Sequence, residues 1–293
     1  MLRRRASSGR LGAYTPPAPM QRFLRYLAPN LVTSTGLIFG LLSLVATSEG
    51  RFVDASWLII WAVMLDRMDG LVARTLHATS PFGVQMDSFA DAINFGICPS
   101  FLVYTMLSSV PALGFGAGAG RVLLMSACAL WVLATVFRLA KFNVVAESDD
   151  APDVFLGVPT TLAAGLLVIW MLVLLKYTPA DVVLGAPSDF SGPRMFGGLE
   201  FSFRAWSYLP AAMLLGAFLM ASNLPQPKLG PVKNKALAVF LVLASASGFL
   251  FAFLCFMPDY MALLPSTWFV TAMVWSVVSP RARQIPPPAF LPE

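Results

Sequence analysis

Eight apolar runs, near residues 31–48, 53–74, 85–110, 121–142, 155–177, 204–222, 235–256 and 260–278, are each of a length to cross a bilayer; a spanning helix takes about 17 to 25 residues. No other feature constrains the fold as strongly. A backbone in hydrocarbon must satisfy its polar groups internally, which leaves helices or a closed barrel. The runs lack the period-two alternation of barrel strands. They predict an all-α, polytopic bundle of about eight transmembrane helices, with Pro210 interrupting the sixth. A mean hydropathy of +0.73 agrees with an integral-membrane chain.

Fifteen of the twenty basic residues fall in segments that a cytoplasmic N-terminus leaves inside. Arg51, Arg121, Lys176, Arg194 and Arg204 fall outside. That asymmetry predicts both termini in the cytoplasm, at what is expected to be a bacterial inner membrane. It also accounts for the net charge of +5 without a nucleic-acid partner, through topology and attraction to anionic lipid. Residues 1–20, rich in Arg, Ser and Pro, are expected to form a disordered cytoplasmic tail, and residues 281–293 a second tail. Between them, residues 21–280 are expected to form one transmembrane domain. Within it, 21–28 suggest a short interfacial helix and 178–203 a long outside loop. Cys98, Cys128 and Cys255 show no paired spacing, so neither a disulfide framework nor a zinc site is indicated.

Residues 66–91, DRMDGLVARTLHATSPFGVQMDSFAD, place four aspartates among these spans, in a chain that is only 12% charged. Asp66 lies about 22 Å along a helix from Arg51, hence just inside the cytoplasmic leaflet. An isolated charge deeper in the bilayer costs roughly 3 kcal/mol or more, so something must compensate these acids. Asp66 and Asp69 share one helical face and Asp87 and Asp91 another, and Ser80-Pro81 and Gly83 mark a turn between them. All four carboxylates can therefore meet. Hard divalent cations are the economical partners, because no His or Cys cluster is present. Two ions bridged by such a set suit displacement at phosphorus. Gly70 gives a ligand close access to the helix, and Arg74, on the same face, offers a planar fork to a phosphate.

The full spacing is D-x2-D-G-x2-A-R-x8-G-x3-D-x3-D, on Asp66, Asp69, Gly70, Ala73, Arg74, Gly83, Asp87 and Asp91. It resembles the signature of the CDP-alcohol phosphatidyltransferases, with every fixed position present. Chance would supply such a match roughly once in 10^9 to 10^10 starting points, so the signal is specific. The resemblance covers about residues 29–165, including P-N-L-V-T at 29–33. Three further stretches, D-S-F-A-D-A-I-N-F-G at 87–96, R-L-A-K-F-N at 138–143 and F-L-G-V-P at 155–159, resemble the branch of the family that uses L-serine as acceptor. Lys141 stands where that branch has arginine.

The resemblance implies that a hydroxyl attacks the β-phosphorus of CDP-diacylglycerol and that CMP leaves. It implies two divalent cations, Mg²⁺ or Mn²⁺, on Asp66, Asp69, Asp87 and Asp91, with Asp91 also the general base. It assigns Gly70, Arg74 and Ser80 to the CDP moiety, with Asn30 and Thr33 nearby. Arg138, Lys141 and Asn143 end the fourth span, and they read either as ordinary inside anchors or as a clamp for the serine carboxylate. Asn94 reads equally as an acceptor contact or a buried cap. With His77 as the only histidine, a route through a pair of histidines is excluded, which leaves direct displacement. Other alcohols remain as alternative acceptors, and a homodimer is left open. A divalent-cation transporter would also place acids in the membrane. Here, however, the acids lie near one face, and the last four spans carry no matching acidic pair.

Overall fold

The computed structural model describes residues 19–76, 80–146, 154–179, 192–227 and 234–283. Its helices are α1 (Pro19–Ser48), α2 (Phe52–Leu76), α3 (Pro81–Asp91), α4 (Cys98–Ser108), α5 (Gly118–Ala146), α6 (Thr160–Tyr177), α7 (Leu209–Ala221), α8 (Lys235–Phe253), α9 (Pro258–Val278) and the short α10 (Pro280–Arg283). A π-helical turn, Ala92–Ile97, joins α3 to α4 without a break, so that Pro81–Ser108 forms one span. Among the described residues, seven spans are of a length and apolarity to cross a membrane. The eighth expected crossing, α2, is long enough at 25 residues. It falls short in apolarity because Asp54, Asp66, Arg67 and Asp69 lie within it.

Elements begin where local chemistry dictates. Ser80 caps α3, its hydroxyl accepting from the Gly83 amide at 3.0 Å, and Pro81 follows in the first turn, where its missing N–H costs nothing. Pro210 does not interrupt a helix as the sequence suggested; it sits in the first turn of α7, after a 3₁₀ segment at Phe203–Tyr208. Residues 21–28, expected as a separate interfacial helix, continue into the first span as part of α1, with Pro29 inside it. The fifth span starts at Thr160 rather than 155, because Val154–Leu156 forms a strand, β1. It pairs antiparallel with β2 (Pro225–Pro227), Phe155 opposite Gln226. Residues 1–18, 180–191 and 284–293, which hold most of the expected tails and much of the outside loop, lie outside the described residues.

Helix α6 is largely enclosed by protein, with 13 of its 18 residues buried, whereas α8 buries only Ala252 among the described residues. A helix apolar all round and hardly buried by protein is one that faces lipid. Helices approach closely at small residues, as lipid-embedded packing requires. A side chain at Gly216 of α7 would begin 2.5 Å from the Trp131 ring of α5. The indole of Trp131 in turn donates to the Phe95 carbonyl at 2.8 Å and so satisfies an acceptor of the π-helical turn. At the end of α6 away from Thr160, Lys176 and Asp259 of α9 form a buried ion pair at 3.0 Å.

Candidate active site

The acidic pairs on α2 and α3 come together, as the spacing predicts. Asp66, Asp69 and Asp87 each present a carboxylate oxygen within 4.8 Å of the others. Oxygens bound to one hard cation at 2.0–2.6 Å lie no more than about 5 Å apart, so this donor set fits a divalent ion. Asp91, 8% exposed at the end of α3, lies within hydrogen-bonding reach of Asp66. Two carboxylates that close repel each other, and a cation beside them is the natural relief.

Neighbouring helices hold the acids in place. Thr33 of α1 donates to Asp69 Oδ2 at 2.9 Å, with the Pro29 carbonyl as a second acceptor at 3.1 Å. Thr161 of α6 donates to Asp66 Oδ2 at 3.0 Å. Gly83 leaves room where α1 and α3 converge, since a Cβ there would lie 3.2 Å from both Asn30 Oδ1 and Ser80 Oγ. Asn30 and Ser80 thus flank Gly83 where α1 meets α3, and Thr33 touches the cluster through Asp69. Gly70 follows Asp69 on α2, and the side chain of Arg74 lies outside the described residues.

The four residues considered for the acceptor separate in space. Arg138 of α5 is buried, faces Asp66 and Asp91 electrostatically, and lies 5.4 Å from the Phe142 ring centroid. Its Nη1 donates to Thr160 Oγ1 at 3.3 Å, and its Nε is buried without a hydrogen-bond partner among the described residues. Lys141 reaches the end of α7, where its ammonium donates to the Ser222 carbonyl at 2.7 Å and to Asn223 Oδ1 at 2.5 Å. A cation is well placed at a helix C-terminus. Asn143 donates to Ser88 Oγ at 2.9 Å, one residue from Asp87, and so ties α5 to α3. Asn94, on the π-helical turn, faces α1 so closely that a Cβ at Gly40 would collide with its Oδ1, an atom with no hydrogen-bond partner among the described residues.

Sequence reasoning missed Thr160 and Thr161 and the π-helical turn. The signal for the threonines was their adjacency after G-V-P at the start of a span; a helical turn with one extra residue leaves no comparable mark.

The site has counterparts in known proteins. The CDP-alcohol phosphatidyltransferase family model matches residues 26–190. A CDP-diacylglycerol–serine O-phosphatidyltransferase of Helicobacter pylori is 35% identical over 218 residues, 74% of this chain and 79% of that protein. The same-named protein of a second Helicobacter pylori strain is 38% identical over 152 residues, 52% of this chain and 60% of the relative. That of Bacillus subtilis is 33% identical over 159 residues, 54% of this chain and 80% of the relative. The match covers α1 to α6, the same helices that gather the four aspartates, and on that footing the chain belongs to the CDP-alcohol phosphatidyltransferase family.

Proposed function

We propose that this chain transfers the phosphatidyl group of CDP-diacylglycerol to the hydroxyl of L-serine, giving phosphatidylserine and CMP. The observation that carries the reaction class is the convergence of Asp66, Asp69 and Asp87 within 4.8 Å, beside Asp91 and inside the family match. Serine is favoured by the name the relatives share. A buried guanidinium beside the acids, with an unpaired Nε, also suits an acceptor that carries a carboxylate.

Asp66, Asp69, Asp87 and Asp91 would hold two divalent cations, Mg²⁺ or Mn²⁺, whose charge would offset that of the diphosphate. Asp91 accepts the proton of the serine hydroxyl, a poor nucleophile without a base within reach. The serine oxygen bonds to the β-phosphorus, and the electrons of the broken P–O bond leave with CMP. Gly70, Arg74, Ser80 and Asn30 receive the CDP moiety. Thr33 acts on that side through Asp69, to which it donates. Arg138 takes the serine carboxylate. Lys141 and Asn143 support that side through the positions of α7 and α3, and Asn94 borders it from the π-helical turn. Both termini face the cytoplasm, which places the acids at the leaflet where soluble serine arrives.

An acceptor screen tests the assignment. Purified protein with CDP-diacylglycerol and Mg²⁺ or Mn²⁺ is offered serine, glycerol 3-phosphate, inositol phosphate, choline or ethanolamine, with CMP and the lipid product both identified. Serine should support by far the fastest CMP release and yield phosphatidylserine. A faster rate on any other alcohol would replace serine as the substrate.

A further inference from the structure

The first turn of α6 carries two adjacent threonines whose hydroxyls serve other helices than their own. Pro159 occupies the cap position, and no side chain caps the helix. Thr161 donates across to Asp66 of α2, and Thr160 accepts from Arg138 of α5. Valine would fill the same volume with the same branching and carry no polar atom to bury. A buried hydroxyl costs free energy unless it is hydrogen-bonded, so its use here lies in the partner it holds. Successive residues on a helix point about 100° apart, which lets one turn reach two neighbouring helices at once.

Each contact constrains its partner in a way the chemistry needs. A hydrogen bond to Oδ2 fixes the rotation of the Asp66 carboxylate, and outer partners of this kind tune how tightly a ligand set binds its ion. The bond from Nη1 to Thr160 holds the guanidinium by one corner. It leaves the edge formed by Nε and Nη2 for a planar carboxylate, and Nε is the atom buried without a partner. We propose that Thr161 and Thr160 are positioning residues, Thr161 orienting Asp66 toward a divalent cation and Thr160 aiming Arg138 at the acceptor carboxylate. The Thr160 half rests on the serine reading; the Thr161 half does not.

The test uses the full chain in detergent, with Thr161→Val, Thr160→Val and the corresponding Ser variants, each checked for monodispersity. Mn²⁺ binding is followed by loss of the free-ion electron paramagnetic resonance signal, and the KM values for serine and CDP-diacylglycerol are measured separately. Thr161→Val should raise the half-saturating Mn²⁺ concentration roughly tenfold or more, and Thr161→Ser should restore it. Thr160→Val should leave Mn²⁺ binding within about twofold and raise the serine KM roughly tenfold, with that for CDP-diacylglycerol unchanged. Thr160→Ser should recover the serine KM. Wild-type Mn²⁺ affinity in Thr161→Val, or an equal rise of both KM values in Thr160→Val, overturns the assignment. Valine variants that misfold while the serine variants fold would make the threonines purely structural and overturn it equally. Failure of the serine reading would instead appear in the wild type, as no CMP release on serine, and would leave the Mn²⁺ arm decisive.

Discussion

Asp259→Ala should destabilise the bundle severely while leaving the chemistry of the folded fraction intact. The Asp259 and Lys176 side chains are 0% and 3% exposed, with the ammonium 3.0 and 3.1 Å from the two carboxylate oxygens. Asp259 also accepts from Tyr177 Oη at 2.6 Å, from the Met195 amide at 2.7 Å and from the Tyr260 amide at 3.1 Å. Truncation removes the counter-charge of a buried ammonium and strips several donors of their acceptor. Breaking a buried pair on one side costs about 3–5 kcal/mol, whereas replacing both partners by apolar residues is often neutral or better. The double variant Lys176→Met with Asp259→Leu should therefore recover much of what Asp259→Ala loses. Tyr177 lies 16 residues along α6 from Thr161, or about 24 Å, so the pair sits far from the carboxylate cluster. Denaturant unfolding in detergent micelles, followed by tryptophan fluorescence, measures the loss, and kcat per folded molecule should stay within about twofold. A loss below about 1 kcal/mol, the scale of an exposed pair, would refute the reasoning, and so would a large fall in kcat with stability unchanged.

Arg138→Ala should raise the serine KM roughly 10- to 150-fold, the cost of a lost charge-assisted contact, with a much smaller effect on CDP-diacylglycerol. Arg138→Lys, which keeps the charge but not the fork, should recover only part of that loss in the same steady-state assay. Asp91→Asn should lower kcat by about 10²–10⁴, as expected for a lost general base, while CDP-diacylglycerol still binds in an equilibrium assay with labelled lipid. A residual rate within about tenfold of wild type would remove Asp91 from that role.

The parts legible in the sequence are those that depend on local spacing. The interval between the acidic pairs, with Ser80-Pro81 and Gly83 between them, was enough to predict that α2 and α3 would meet at Asp66, Asp69, Asp87 and Asp91. The spans were legible because a helix in lipid needs a long apolar run. What hydropathy misread was F-L-G-V-P, apolar enough to extend a span yet unable to be helical at Gly157. There the backbone has φ +78°, and a Cβ would lie 2.5 Å from the Met220 carbonyl, a place only glycine fits. Lys141 was open to misreading for a related reason: its partners Ser222 and Asn223 lie more than 80 residues away, and nothing local announces them. The partner of Thr161 was hidden in the same way, a carboxylate 95 residues earlier, although its adjacency to Thr160 after G-V-P marked the position.

The reliance of the reaction on cations held by the four aspartates is tested most directly by chelation and restoration. CMP release from CDP-diacylglycerol and serine is followed by the purified protein in excess chelator, then after Mg²⁺ or Mn²⁺ is added back. Release should fall to background in chelator and return with either ion at a saturable concentration, and Asp69→Asn should shift that concentration upward or abolish the response. Undiminished CMP release in excess chelator would contradict the role assigned to Asp66, Asp69, Asp87 and Asp91.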